Sequence, residues 1–233
     1  IIMATILHIE TATDVCSTTL SENGVCLFSK ICTEGPSHAT NLPVFIEETL
    51  AFAREHSKLP DAVAVSAGPG SYTGLRIGIS TAKGLCYGLD AKLIAIDTLQ
   101  LIAQNALSHV KESDALICPL IDARRMEVYT TVFDTNLAVV KPIEAKIIDE
   151  TAFLDLLDKH VIYFCGNGAE KCKTMITHAN ARFLSDIHPL ANHMIHLAEQ
   201  AYEAHKFEDV AYFEPFYLKE FQATVAKKSI INS

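Results

Sequence analysis

The chain has 233 residues, 49% hydrophobic and 20% charged, with a formal net charge of −9. That balance excludes the disordered and fibrous classes, and it excludes an autonomous nucleic-acid grip built on a basic face. Seven cysteines, at positions 16, 26, 32, 86, 118, 165 and 172, make an odd set without a C-x-x-C, so a disulfide framework and a four-cysteine zinc centre are both excluded and reduced thiols in a cytoplasmic protein are expected.

No run approaches the roughly 18 apolar residues of a membrane span, and no basic region precedes an apolar one at the N-terminus. Met3 is expected as the native start. Three short strands open the chain: ATILHIE (4–10), VCSTTLS (15–21) and VCLFSKI (25–31). Asn23-Gly24 between the last two is a strong hairpin signal. Ser37 precedes a helical stretch through residue 57, in which Pro43 is expected to mark the effective first turn. A buried strand (62–67), a glycine-rich loop, a helix from about 73 to 89 and a strand (91–96) complete a first series.

A second series repeats this order more loosely. It has strands at 116–122, 127–133 and 137–148, a helix at 149–160, a strand at 161–166, the turn GNGAEK and a helical run at 190–205. The pattern implies an α/β chain of two related lobes with mixed sheets flanked by helices. The expected boundaries are a first lobe at 1–105, a second at 106–213 and a C-terminal tail at 214–233, with a helix or short loop joining the lobes.

The stretch SAGPGSYTGLRIGIS (66–80) carries the chemistry question. A P-loop needs Gly-Lys five residues after its first glycine; Thr73 and Leu75 stand there instead. A Rossmann turn needs G-x-G-x-x-G, and GPGSYTG has one residue too many. A nucleophile elbow needs G-x-S-x-G, and Ser71 lies in PGSYT. A general anion site at the helix N-terminus stays open.

Gly68, Gly70 and Gly74 are read as a structural glycine loop. Beyond it Gly74, Gly78 and Ala82 recur every four residues, with Thr81 and Leu85 on the same face. Interior glycines cost about 0.5–1 kcal/mol each relative to alanine, which close helix packing can offset. Packing on the chain's own sheet is the alternative. In the preceding helix Leu42, Ile46, Thr49, Leu50 and Ala53 form one apolar stripe, while Val44, Phe45 and Phe52 widen it to a second side. Two apolar faces point to two buried contacts. A partner interface is therefore assigned to Leu42, Phe45, Ile46, Thr49, Gly74, Gly78, Thr81, Ala82 and Leu85, and Gly78→Arg is expected to block pairing without harming the fold.

Other candidates read as structural. His38 is followed by Leu42, not by a second histidine four residues on. His193 and His196 lie three apart with Glu199 near, and read as solvated. Glu47-Glu48 and Asp149-Glu150 suit solvated helix surfaces, Lys227-Lys228 a mobile end, and Cys16 has no histidine partner nearby in sequence.

GPGSYTGLRIGISTAKGL (68–85), together with ILHIETATDVCSTTL, PSHATNLPVFIEETL, LIDARRMEVYTTVF and EPFYLKEFQATVAKK, resembles the TsaB (YeaZ) family. The resemblance implies an actin-like ASKHA fold and a part in synthesis of N6-threonylcarbamoyladenosine on tRNA. It implies a non-catalytic paralogue of TsaD, within the glycoprotease-like superfamily, that pairs with TsaD through two first-lobe helices, is joined by the ATPase TsaE and meets tRNA only through the complex. Self-association through the same surface is expected when the chain is alone. TsaD-like proteins hold a metal with paired histidines, of which only His38 is present. Glu10-Thr11-Ala12-Thr13 stands where their first phosphate turn has an aspartate, and Asp122 with Gly166 and Gly168 are the second-lobe counterparts. No catalytic residue, metal or cofactor is therefore assigned to this chain; ATP belongs to the complex. A nucleotide-dependent phosphotransferase or a glycoprotease-like peptidase on the same fold is the alternative, and a tRNA-binding module a third reading that the negative charge disfavours.

Overall fold

The computed structural model describes residues 4–33, 35 and 37–219; Met3, Lys227-Lys228 and the end of the expected tail lie outside them. Strands β1 (Thr5–Glu10), β2 (Cys16–Glu22) and β3 (Val25–Cys32) form an antiparallel meander. Asn23 and Gly24 turn between β2 and β3 with φ of 52° and 77°, the pair of positive angles that a two-residue primed turn demands. Helix α1 spans His38–Glu55, strand β4 Ala62–Gly68, helix α2 Tyr72–Leu89 and strand β5 Lys92–Asp97. β4 pairs parallel to β1 and β5 parallel to β4, giving the order β3-β2-β1-β4-β5.

Helix α3 (Thr98–Ala106), capped by the Asp97 carboxylate accepting from the Gln100 amide at 2.8 Å, leads into the repeat. Strands β6 (Leu116–Asp122), β7 (Glu127–Phe133) and β8 (Val139–Ile147), helix α4 (Leu154–Leu157), strand β9 (Ile162–Cys165), helix α5 (Ala169–Cys172) and strand β10 (Ala181–Phe183) build the second sheet. Its order, β8-β7-β6-β9-β10, matches the first strand for strand, with the same parallel and antiparallel pairings. The last helical elements among the described residues are a 3-10 turn (Ala191–Met194) and helix α6 (Ile195–Glu203).

Several expected boundaries move. Pro43 is the sixth residue of α1, because the Thr40 and Asn41 amides already close the first turn on the Ser37 carbonyl. The helical donor that Pro43 lacks would have met the carbonyl of Ala39, an exposed residue that water can serve. The helix expected at 149–160 shrinks to Leu154–Leu157, entered through Phe153 at φ 64°. β10 and α5 were not anticipated; three- and four-residue elements leave no measurable periodicity.

The lobe boundaries change for a packing reason. α6 belongs on the first sheet: Met194, Leu197 and Ala198 share a buried cluster with Ile6, Ala62, Ala64 and Ile94. Conversely, α3 lays Leu99, Ile102, Ala103 and Ala106 against Ile117, Ile121 and Cys165 of the second sheet. Each leucine, isoleucine or methionine among them contributes about 1.5–3 kcal/mol. The division at 105 therefore cuts through α3, and the span 106–213 takes in α6, which packs on the first sheet. On its other face the first sheet carries α1 and α2, with Leu42, Ile46, Leu50, Ile79 and Ala82 packed on Leu7, Ile9 and Val63.

Candidate functional site

The ends of β1 and β6 meet at a cleft of about 470 Å³ lined by Thr13, Ser71, Asp122, Arg124, Tyr129 and Lys219, among others. Its first-lobe wall is the turn after β1, residues 12–14, together with residues 69–73 of the glycine loop. Glu10 is fully buried, accepting from the Ala12 amide at 2.5 Å and from the Ser66 hydroxyl. Burial pushes its carboxyl up to about 7, against the hydrogen bonds from Ser66, Ala12 and Thr11 that favour the ionised form. Thr13 is held from the other side, where its carbonyl accepts from Nε2 of buried His38 at 2.7 Å. His38 thus anchors the turn to α1.

The glycine loop answers to this same turn. A Cβ on Gly70 would collide with the Ala12 carbonyl, one on Gly74 with the Thr11 carbonyl, and one on Gly78 with the Thr11 hydroxyl. The Ser71 amide donates to the Ala12 carbonyl at 2.7 Å, and the Thr11 hydroxyl to the Gly74 carbonyl at 2.8 Å. Gly68, at φ 118°, faces the Phe216 carbonyl. The second lobe repeats the device: Gly166 and Gly168 both press on the Leu120 carbonyl, and the Gly168 amide donates to it at 2.8 Å.

These contacts correct the assigned interface. Leu42, Ile46, Thr49, Gly74, Gly78 and Ala82 are buried inside the first lobe, so the small-residue stripe accommodates the chain's own Thr11 and Val65. Gly78→Arg would drive a side chain into that turn and disrupt the fold it was expected to spare. Of the nine residues only Phe45, Thr81 and Leu85 are half-exposed. The outward face of the helix pair is instead Val44 (49% exposed) on α1 and Ile77, Thr81, Gly84, Tyr87 (89% exposed) and Gly88 on α2. Among the described residues, a Cβ on Gly84 or Gly88 would meet nothing within 4 Å.

The cleft has two further supports that spacing did not reveal. Lys171 on α5 donates to the Asp122 carboxylate at 2.5 Å and to the carbonyls of Arg125 and Glu127 at 2.7 Å each. It thereby holds the β6–β7 turn, where Arg124 and Arg125 sit at φ 71° and 49°. A C-terminal strap crosses between the lobes: the Phe216 amide donates to the Ala67 carbonyl at 2.7 Å, Arg76 Nε to the Tyr217 hydroxyl at 3.0 Å, and Lys219 pairs with Glu127 at 2.5 Å. Such partners are dozens of residues apart, beyond any local pattern.

Among the described residues no cluster of three His, Cys, Asp or Glu could hold a metal ion. His196 meets Gln200 at 3.0 Å, Glu47, Glu48, Asp149 and Glu150 are exposed, and burial pushes the Cys16 thiol up to about 12. No described helix is long and apolar enough to cross a membrane.

Two lobes of identical strand order, meeting at a cleft formed by equivalent β1 and β6 turns, define an actin-like (ASKHA) protein. The family model for TsaD, tRNA N6-adenosine threonylcarbamoyltransferase, matches residues 34–227. The tRNA threonylcarbamoyladenosine biosynthesis protein TsaB of Bacillus subtilis is 34% identical over 118 residues, 49% of this chain and 49% of that protein. Its Escherichia coli namesake is 35% identical over 125 residues, 53% of this chain and 52% of that protein. The chain thus spans about half the length of the curated relatives it matches. YeaZ from Pseudomonas aeruginosa superposes with a TM-score of 0.79 at 25% identity, over 93% of this chain and 100% of that one. The chain belongs to the threonylcarbamoyltransferase family, in its TsaB (YeaZ) branch.

Proposed function

We propose that this chain is a non-catalytic subunit in tRNA threonylcarbamoyladenosine biosynthesis, seating a TsaD-type transferase on the outward face of α1 and α2. The observation that carries the reading is the row of half-buried Ile77 and Thr81 and exposed Gly84 and Gly88 on α2, together with exposed Tyr87 on α2 and Val44 on α1. Two glycines inside a helix cost about 0.5–1 kcal/mol each, and among the described residues nothing approaches Gly84 or Gly88 closely enough to require them. A helix from a partner would use that space. TsaE joins the pair, ATP and tRNA are bound by the assembly, and the chain self-associates through this face when no transferase is present.

Gly84→Arg tests the reading. An unpaired charge forced into an apolar interface costs at least about 2 kcal/mol, roughly a 30-fold loss of affinity. The variant should melt no lower than the parent yet fail to co-elute with the transferase. A reaction reconstituted from transferase, TsaE, threonylcarbamoyl donor, ATP and tRNA should lose product when this chain is omitted. Co-elution of the variant at parental yield, or full product without the chain, overturns the proposal.

A further inference from the structure

Cys16 opens β2 and Cys32 closes β3, and the two are directly opposite in the antiparallel ladder. The facing of this row is fixed by its neighbours on α1. Phe28 stacks on Phe52 at 5.1 Å, the Thr18 and Thr49 hydroxyls meet at 3.1 Å, and Lys30 pairs with Glu48 at 2.7 Å. On this side of the bulge after Leu20, the even-numbered side chains 16–20 of β2 and 28–32 of β3 therefore face α1, and Cys16 and Cys32 form the next rung toward its N-terminal half. Opposed residues of an antiparallel pair have Cα atoms about 4.5 or 5.5 Å apart. Either spacing lies within the roughly 4.4–6.8 Å that a disulfide spans.

We propose that Cys16 and Cys32 are a reversible oxidation site, forming a disulfide that ties the ends of β2 and β3 beneath α1. The two thiols have different exposure and so different roles. Cys16 is fully buried in the cluster on which Phe45 packs, whereas Cys32 is half-buried at the strand end and open to an oxidant. The oxidant therefore meets Cys32 first, and Cys16 resolves the sulfenic acid. Cys118 and Cys172 also share a cluster, but both are buried, and neither offers that first accessible sulfur.

With a hydroperoxide as oxidant the steps balance. The Cys32 sulfur attacks the peroxide oxygen; the O–O bond breaks, the alcohol leaves with a proton, and Cys32 becomes a sulfenic acid. The Cys16 sulfur then attacks the Cys32 sulfur; the S–O bond breaks and hydroxide leaves with the Cys16 proton as water. Two thiols are oxidised and one hydroperoxide is reduced to alcohol and water. A dithiol reverses the bond by exchange. The inference is independent of the proposed subunit role.

The test uses the whole chain and hydrogen peroxide. Remaining thiols are blocked with N-ethylmaleimide in denaturant, and the protein is digested without reduction and weighed by mass spectrometry. A peptide joining Cys16 to Cys32, lighter than its two parts by two hydrogens and lost on adding dithiothreitol, is the expected product. In Cys16→Ser, dimedone should trap Cys32 as its sulfenic acid. Recovery of Cys16 fully alkylated, or of Cys32 joined to Cys26 or to a second copy, overturns the proposal.

Discussion

Replacing Glu10 by glutamine should change how stability depends on pH, in a direction fixed by its burial. In the folded chain the fully buried carboxyl is raised from 4.5 to about 7. Between those values the folded chain holds a proton that the unfolded chain has released, so stability falls as pH rises through the window. At about 1.36 kcal/mol per unit the whole window amounts to about 3 kcal/mol, of which about 2.5 kcal/mol falls between pH 5 and pH 8.

His8 complicates the parent profile. Burial lowers it to about 3, so its contribution falls as pH drops below about 6.5, opposing the Glu10 term. Comparing variant and parent removes that term, because glutamine leaves His8 in place and can still accept from the Ala12 amide. Urea unfolding followed by circular dichroism at pH 5 and pH 8 gives both stabilities. Glu10→Gln should gain about 2.5 kcal/mol on the parent between the two conditions. Midpoints moving in parallel would refute the buried, proton-holding carboxyl.

Alanine at two glycines of α2 should act with opposite signs. Gly78→Ala crowds the Thr11 hydroxyl and should cost about 1–3 kcal/mol, whereas Gly84→Ala, facing open space, should gain about 0.5–1 kcal/mol; stabilisation by both in urea melts would contradict the packing described. Lys171→Ala removes the donor that holds the two left-handed arginines and should cost about 2 kcal/mol, or about 4–8 °C in melting temperature. A change below about 1 °C in differential scanning calorimetry would show that the turn holds itself. Tyr217→Ala removes the hydrogen bond from Arg76 and the packing on Tyr72, together worth about 1.5 kcal/mol. The Phe216 amide should then exchange roughly tenfold faster, and an unchanged rate would mean that the strap is anchored elsewhere.

The sequence revealed what repeats along the chain. Short apolar runs located nine of the ten described strands within a residue or two, Asn23-Gly24 fixed the first hairpin, and the doubled order predicted two equivalent sheets. It also excluded the phosphate-loop and nucleophile-elbow spacings. It could not show which surface the Gly74–Gly78 stripe meets, because a small residue signals close approach without naming the neighbour. The neighbour is Thr11, some 60 residues earlier in the chain. Lys171 and the 216–219 strap were equally hidden, since their partners share no periodicity with them. Charge and size at Gly84 and Tyr87 carry no local sign of being outward; only the placement of α1 and β1 decides that.

The exchange of α3 and α6 between lobes sets an order of events during synthesis. Ile6, Ala62, Ala64 and Ile94 lie within one stretch of about ninety residues, yet their covering side chains, Met194, Leu197 and Ala198, are translated about a hundred residues after Ile94. At about 5–20 residues per second, an apolar sheet face waits on the order of 5–20 s after α3 is made. Contacts of such sequence separation also fold slowly. A nascent chain stalled before residue 190 would present that face to chaperones or to other chains, and would be the aggregation-prone form of this protein.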